Sequence, residues 1–333
     1  MRVGITFDLI EDYRSLGLGE EETAEFDSIE TVEAIEEALC AEGFETERIG
    51  GIMNLVRSVA RGKTWGIVFN IAEGLNGPGR EAQVPALLDA CSVPYTFSDP
   101  VVLGLTLHKG LTKHVLRDYG ISTAPFAVAE NAEDLYTVKL EFPLFLKPVS
   151  EGTGKGISVL SIVYDRQSLL SIGKGILERF RQPVLVERYL PGREFTVGIL
   201  GTGSSAEVLP VMEILFQKGA DCDVYSYRNK KHYKEAVKYR LIEDEQAEEC
   251  RSLALKTWQC LGCRDGGRID IRLDADGVPN VMEINPLPGL HPVDSDLPIS
   301  CKHAGIGYQA LIGRIMKSAL ERTNGPRPFR RIV

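Results

Sequence analysis

The sequence lacks the features that mark membrane, secreted and nucleic-acid-binding proteins. Its 333 residues contain no apolar stretch near the roughly 18 residues that a membrane span requires. The net charge of −9 argues against a general nucleic-acid partner. Residues 1–8 have the pattern of a first β-strand rather than of a signal peptide. The seven cysteines are odd in number and form no framework, which is typical of a reducing cytoplasm.

Three common site motifs are also missing. No Gly-x-Gly-x-x-Gly follows the first strand, which argues against a dinucleotide site. The glycine-rich stretch 150–156 is not a P-loop, because Lys155 is followed by Gly156 rather than by Ser or Thr. Cys260 and Cys263 form a lone Cys-x-x-Cys without the further ligands that a zinc site needs.

What is present indicates a globular α/β (α+β) protein of several domains. The chain is 44% hydrophobic and 26% charged, as soluble globular proteins are. Strand and helix patterns alternate over the first hundred residues and predict a parallel sheet. We place an N-terminal α/β domain at 1–104, a central unit at 105–186 and a C-terminal unit at 187–333.

A hairpin in the C-terminal unit carries the strongest chemical signal. Segments 267–271 and 281–286 alternate polar and apolar residues, and Asp276-Gly277 between them is typical of a two-residue turn. That turn places Asp270 opposite Glu283. The polar face then carries Arg268, Asp270, Glu283 and Asn285. The opposite, core face carries Ile269, Ile271, Met282 and Ile284.

Two carboxylates that face each other across a hairpin repel. At roughly 5 Å and an effective dielectric near 20, the repulsion costs about 3 kcal/mol. We therefore expect a cation there. Asp270, Glu283 and the Asn285 amide oxygen suit Mg²⁺ (or Mn²⁺) that bridges phosphates. By the same reasoning, neutralising either acid should leave the stability of the metal-free protein unchanged or raise it. The alternative is a hairpin whose acids point to water.

Three further segments are candidate ligand loops. The glycine-rich loop 70–81 follows a strand, where α/β sheets bind ligands, although a plain connection is the alternative. A strand at 142–148, the glycine-rich stretch and a strand at 157–162 predict a flap whose free N–H groups and lysines can close over phosphates. The long polar stretch 217–240 predicts a lid or a solvated loop.

These motifs in this order resemble the ATP-grasp carboxylate–amine ligases, and within them most closely the D-alanine–D-alanine ligases. The motifs are Leu146-Lys147-Pro148, the flap, Leu185-Val186-Glu187, Gly267-Arg268-Ile269-Asp270 and Glu283-Ile284-Asn285-Pro286. The resemblance covers the whole chain. It implies an ATP-grasp fold that follows an N-terminal parallel-sheet domain.

The resemblance implies a role for individual residues. For ATP these are Lys109, Lys147, Glu151, Gly152, Gly154, Glu187, Arg188, Leu190 and Glu194. For the metal they are Asp270, Glu283 and Asn285. For catalysis they are Arg268 and Gly289, which stabilise the oxyanion, with Thr153 of the flap and Lys230. For the amino-acid substrates they are Glu73, Ser295 and Lys231.

The sequence departs from the family around the amino-acid pocket. Glu73-Gly74 stands where the family usually has His-Gly, and Lys231 stands where it has a tyrosine. We expect Glu73 and Lys231 to pair; otherwise they recognise a polar substrate group. The acid that grips the first substrate's amine is Glu25 or Asp27.

The implied reaction joins two amino acids. ATP phosphorylates a carboxylate to give an acyl phosphate and ADP, and an amine then attacks the acyl phosphate to form a peptide bond and release phosphate. The expected protein is a cytoplasmic, homodimeric D-alanine–D-alanine ligase of peptidoglycan biosynthesis with small-molecule substrates and neither nucleic-acid nor membrane partners. The alternatives are an amino-acid ligase of specialised metabolism and a nucleotide-binding regulator without ligase activity.

Overall fold

The computed structural model describes residues 1–216 and 237–324. Its strands are β1 (Arg2–Thr6), β2 (Glu45–Arg48), β3 (Ile67–Asn70), β4 (Phe126–Ala129), β5 (Leu144–Pro148), β6 (Ile162–Val163), β7 (Val184–Arg188), β8 (Glu194–Leu200), β9 (Glu207–Val208), β10 (Met212–Phe216), β11 (Val237–Leu241), β12 (Gly266–Leu273) and β13 (Pro279–Asn285). Its α-helices are α1 (Ile10–Ser15), α2 (Ile29–Ala41), α3 (Ile52–Ala60), α4 (Gln83–Ala90), α5 (Pro100–Leu107), α6 (Lys109–Asp118), α7 (Asp134–Thr137), α8 (Arg166–Phe180), α9 (Glu245–Leu261), α10 (Asp296–His303) and α11 (Tyr308–Asn324).

The N-terminal sheet is parallel, as the alternating pattern predicts. Its strand order is β2-β1-β3. Helix α2 buries one stripe, at Val32, Ile35 and Leu39 among others, in a core that also contains Leu311 and Ile315 of α11. The C-terminal helix therefore packs against the N-terminal sheet unit. Beyond the three strands, one parallel bridge joins Tyr95 to Val68.

The second sheet is antiparallel, with order β4-β7-β5-β6, and it carries the glycine-rich turn. The predicted strand at 157–162 is wrong for most of its length. Residues Val159–Ser161 form a 3₁₀ turn that Ser158 caps, and only Ile162–Val163 pair with β5. Reciprocal hydrogen bonds between the side chains and backbones of this turn compete with strand pairing.

The third sheet has the order β11-β10-β8-β12-β13, with β9 beside β8. Helix α9 covers one face, where Trp258 is fully buried among Phe195, Val197 and Ile269. The predicted loop 217–240 is wrong at its end, because Val237–Leu241 pair with β10 as a strand. Of the rest of that stretch, 217–236 lies outside the described residues.

The predicted hairpin forms, but its turn differs. Asp270 lies opposite Glu283 and Arg268 lies opposite Asn285, which confirms the polar pairing. Nearer the turn, Ile271 pairs with Val281, so the register shifts at a β-bulge. The turn spans residues 274–278, because the Asp274 N–H donates to the Val278 carbonyl at 3.0 Å. The longer turn shifts the strand pairing by one residue, and the bulge shifts it back. The polar side chains therefore still lie opposite each other.

The bulge also moves one side chain. Met282 has no partner in the register and lines a cavity instead of the core, so its predicted orientation is wrong. Its neighbours Ile269, Ile271 and Ile284 are buried as predicted. No helix among the described residues has the length and apolar character needed to cross a membrane.

Candidate active site

Two adjoining cavities lie where the three sheets meet, and Lys109 and Glu283 line both. The larger has a volume of about 240 Å³. Its lining includes Glu25, Glu73, Glu81, Gly152, Thr153, Arg268, Asn285, Gly289, Asp294, Ser295 and Asp296. The smaller has a volume of about 90 Å³. Its lining includes Phe145, Lys147, Glu151, Gly154, Ile157, Glu187, Arg188, Leu190, Glu194, Asp270, Arg272 and Met282.

The smaller cavity gathers the residues predicted to bind the nucleotide. They come from β5, β7 and β8 and from the glycine-rich turn, which are far apart in sequence. Phe145, Ile157, Leu190 and Met282 supply apolar surface, and the lysines and acids supply charge. Apolar surface beside buried cations suits a purine base with attached phosphates.

Buried charges in this cavity are paired. Glu187 accepts contacts from Lys113 Nζ at 2.5 Å and from Lys147 Nζ at 2.8 Å. Burial alone would raise the pKa of Glu187, but the two ammonium groups outweigh it and lower the pKa to about 2. Lys113 was not predicted from the sequence. Its spacing of four residues from Lys109 on α6 was an available signal, because such residues share a helix face.

A second pair lies at the cavity's other end. Arg272 Nη1 donates to Glu194 Oε2 at 2.9 Å, and the guanidinium carbon lies 5.2 Å from the centre of the Tyr189 ring. Arg272 and Glu194 are direct partners in the β12–β8 ladder. Sequence reasoning missed Arg272, although it follows Arg268 and Asp270 at the period of a strand face. It orients Glu194, one of the residues that we expected to bind ATP.

The carboxylates of the hairpin lie between the two cavities, and protein cations balance them. Arg268 Nη1 donates to both oxygens of Asp270, and Lys109 Nζ lies 3.0 Å from Glu283 Oε1. The Asn285 amide lies 3.3 Å from Asp270 Oδ2. The repulsion predicted from the sequence is therefore already offset without a metal ion.

The same side chains fit a divalent metal that arrives with phosphates. Two carboxylates and an amide, all from one strand pair, offer hard oxygen ligands on one face. Mg²⁺ usually keeps few protein ligands and takes the others from water and substrate phosphates, so this small donor set is sufficient.

The far wall of the larger cavity is built by a tight turn after β13. The Ser295 hydroxyl oxygen accepts from the His291 N–H at 2.9 Å and faces Gly289. A Cβ on Gly289 would lie 2.9 Å from Ser295 Oγ, so a side chain there would displace the serine. Gly289 and Arg268 line the same cavity.

The glycine-rich turn closes over the larger cavity from the other side. The Gly152 N–H donates to Glu25 Oε1 at 2.5 Å, and Lys109 Nζ donates to the Glu151 carbonyl at 2.6 Å. Arg80 holds the other oxygen of Glu25 at 2.8 Å. Thr153 lines the cavity in a left-handed conformation. Glu25 thus anchors this turn to the N-terminal unit.

Of the two acids expected near the first substrate's amine, Glu25 lines the cavity and Asp27 does not. The pKa of Glu25 is lowered, because Arg80 and Lys155 outweigh the effect of its burial. Asp27 lies near Asp8, and burial together with that charge raises the pKa of Asp27 to about 7.

Comparison with known proteins agrees with this geometry. The family model described as the C-terminus of D-Ala–D-Ala ligase matches residues 115–317. A D-alanine–D-alanine ligase of Bordetella petrii is 34% identical over 253 residues, which cover 74% of this chain and 74% of that protein. The chain belongs to the D-alanine–D-alanine ligase family. An uncharacterised protein of Sinorhizobium fredii is 36% identical over 269 residues, 79% of this chain and 77% of that one.

Solved structures of the family have the same architecture. The D-alanine–D-alanine ligase of Bacillus anthracis, crystallised with ATP, superposes with a TM-score of 0.74 at 26% identity. The match covers 97% of this chain and 98% of that one. The fold is the ATP-grasp fold with an N-terminal parallel sheet, as the motifs predicted.

Glu73, which we expected to differ from the family pattern, lies in the larger cavity with Glu81. Neither acid forms a hydrogen bond or ion pair with another residue of 1–216 or 237–324. Burial and the neighbouring acids raise the pKa of both, that of Glu81 to about 7. The predicted residues Lys230 and Lys231 lie outside the described part of the chain.

Proposed function

We propose that the protein is an ATP-dependent D-alanine–D-alanine ligase that forms the peptide bond through an acyl phosphate. The observation that carries the proposal is the Asp270–Glu283 pair between the two cavities, with Arg268 on the side of the larger one. This arrangement joins a nucleotide site to a substrate site at the point where phosphoryl transfer would occur. The names of its relatives supply D-alanine as the substrate.

In this proposal ATP occupies the smaller cavity. The base lies against Leu190 and the backbone of β7 near Glu187 and Arg188, and Glu194 binds the ribose hydroxyls. Lys109 and Lys147 neutralise phosphate charge. The backbone N–H groups of the turn at Glu151, Gly152 and Gly154 cover the phosphates.

Asp270, Glu283 and Asn285 would hold Mg²⁺ (or Mn²⁺). A bound Mg²⁺ would neutralise phosphate charge and orient the phosphates. With Asp270 and Glu283 so engaged, Arg268 and Lys109 would be released from their present ion pairs. Both cations would then be available to the negative charge that develops on the reacting groups.

The remaining residues act on the acyl group and the amine. Arg268 and the Gly289 N–H face the oxyanion that forms when the amine attacks the acyl phosphate. Ser295 binds the carboxylate of the second amino acid. Thr153 and Lys230 contribute from the turn and from the segment 217–236. A closed cavity excludes the water that would hydrolyse the intermediate.

We extend the proposal to the context of the protein. We propose the division at 1–104, 105–186 and 187–333; the presence of three separate sheets supports it, although β7 at 184–188 straddles the second boundary. We propose a cytoplasmic homodimer that acts in peptidoglycan biosynthesis. Its sequence relatives and the absence of a cysteine framework support this setting.

A second candidate is a ligase of the same mechanism with a different amino-acid pair. Glu73 and Glu81 favour it, because two acids in one cavity bind a polar or positively charged group better than a methyl side chain. We expect Glu73 to read such a group if it does not pair with Lys231.

A substrate screen tests both candidates. Purified protein would be incubated with ATP, Mg²⁺ and pairs of amino acids, and scored for phosphate release and for the mass of the product. A D-alanyl-D-alanine product would support the first candidate. A product from another pair, with none from D-alanine, would replace D-alanine but keep the ligase. No product from any pair would contradict the proposed function.

A further inference from the structure

Arg268 is held by two carboxylates, of which only one belongs to the proposed metal site. Its Nη1 donates to both oxygens of Asp270, and its Nε lies 3.4 Å from Asp296 Oδ2. The three side chains are 13%, 10% and 11% exposed, so little water competes with these contacts. Together with Glu283 they raise the pKa of Arg268 despite its burial. The guanidinium therefore stays charged.

Asp296 is itself held in place. The Tyr239 hydroxyl donates to Asp296 Oδ1 at 2.5 Å, so each oxygen of the carboxylate has a different partner. Asp296 is the first residue of α10, and Tyr239 lies on β11. The chain of contacts Tyr239–Asp296–Arg268 thus joins three elements at the wall of the larger cavity.

The two carboxylates cannot have the same role. The oxygens of Asp270 that accept from Arg268 are those that would ligate Mg²⁺, and a metal draws them away from the guanidinium. A long arginine side chain that loses its only acceptor also loses its orientation. Asp296 does not belong to the metal face, so it can keep the Nε edge fixed while the other edge turns to the substrate.

We propose that Asp296, oriented by Tyr239, is a positioning residue that holds Arg268 in place when Asp270 binds the metal. The proposal rests on the proposed function for the role of Arg268. It predicts that Arg268 and the metal compete for Asp270, because an arginine freed from Asp296 places all its hydrogen bonds on Asp270. The metal must then displace a stronger ion pair.

The test replaces Asp296 by asparagine, which keeps the size of the side chain and removes its charge. We expect the Kd for Mg²⁺, measured calorimetrically with a non-hydrolysable ATP analogue, to rise about fivefold, a change of about 1 kcal/mol. We expect kcat for peptide formation to fall about tenfold with the KM for ATP little changed. Asp296→Glu should recover part of both losses.

Asp244→Asn is the matched control. Asp244 also contacts an arginine, Arg193 at 2.8 Å, and also lies at a helix start, but it lines neither cavity. It should leave the Mg²⁺ affinity unchanged. Tyr239→Phe is the second variant in case Asp296→Asn does not fold, and it should raise the Kd for Mg²⁺ in the same direction by a smaller factor.

An acid at the start of α10 also stabilises that helix, and a merely structural role would lower the melting temperature without changing the metal affinity. Wild-type Mg²⁺ affinity in folded Asp296→Asn, or in Tyr239→Phe if the first does not fold, would therefore overturn the proposal. The metal titration does not depend on turnover. A wild-type protein that makes no peptide would contradict the proposed function and leave this readout intact.

Discussion

The two cavities differ in how their charges are balanced. In the smaller one the buried acids have basic partners: Glu187 pairs with Lys113 and Lys147, and Glu194 pairs with Arg272. In the larger one Glu73 and Glu81 have raised pKa values and lack such partners among the described residues. A fully paired site is already organised for one ligand. A site whose acids have no ion pair obtains a partner from whatever binds there.

The largest loss of turnover is expected for a substitution at the boundary of the two cavities. Asp270→Asn should lower turnover by roughly 10²–10³-fold, because it removes a proposed metal ligand from the point of phosphoryl transfer. Asp276→Asn, in the exposed turn of the same hairpin, is the control. Near wild-type phosphate release by Asp270→Asn would contradict the assignment of Asp270 as a metal ligand. It would also contradict the division into a nucleotide cavity and a substrate cavity that meet at this residue.

The structure changes what we expect of the stability of Asp270→Asn. From the sequence, removing one repelling acid should leave the metal-free protein unchanged or more stable. The structure shows Asp270 bound to Arg268, so the variant leaves a largely buried guanidinium with a weaker partner. We now expect the melting temperature to fall, by an amount corresponding to about 1–3 kcal/mol.

The next largest effect is expected on the KM for ATP, from a substitution in the smaller cavity. Lys147→Ala removes a cation from the proposed phosphate site and should raise the KM for ATP about tenfold or more, with a lower kcat. The KM for the amino acid should change little. Lys174→Ala, on the outer surface of the same unit, controls for loss of a lysine. Normal binding and turnover of ATP by Lys147→Ala would show that the nucleotide lies elsewhere.

A smaller and complementary effect is expected in the larger cavity. Glu73→Gln should change the KM for amino acids about tenfold while the KM for ATP stays constant. If Glu73 pairs with Lys231, as we expect, then neutralising both should harm activity less than neutralising either one. Additive losses in the double variant would favour recognition of a substrate group by Glu73.

The smallest effect is a dependence of stability on pH. The pKa of Glu81 is raised from 4.5 to about 7, so between these values the folded state binds more protons than the unfolded state. Stability is therefore expected to fall as pH rises from about 4.5 to 7, by about 3 kcal/mol at most from this group, and to level off above. Asp27, with a pKa of about 7, acts in the same direction.

Melting curves between pH 5 and pH 8 measure this slope. Glu81→Gln should flatten it, whereas Glu187→Gln should not, because the pKa of Glu187 lies near 2, outside this range. A slope that is the same in Glu81→Gln and in the wild type would mean that Glu81 is not held protonated. The contrast between the two cavities would then lose its electrostatic basis.

The sequence could predict which residues lie on the same face of a strand or of a hairpin. The pairing of Asp270 with Glu283 depends on strand alternation and on a nearby turn, and it survives even though the turn is longer than expected. The orientation of Met282 could not be predicted, because a bulge has no mark in the alternation. The spacing of Lys113 and Arg272 from other site residues placed them on the same faces, but only the structure showed which acids they pair with.

The sequence by itself determined the chemistry of this protein: the kinds of side chain, their order and the local strand pairing that brings acids, amide and arginine to one face. Only the tertiary structure decided which charges neutralise each other. Glu187 with Lys113, Glu25 with Arg80 and Arg268 with Asp296 are contacts between elements far apart in the chain. Local periodicity acts over a few residues, whereas these ion pairs depend on how separate sheets and helices pack together.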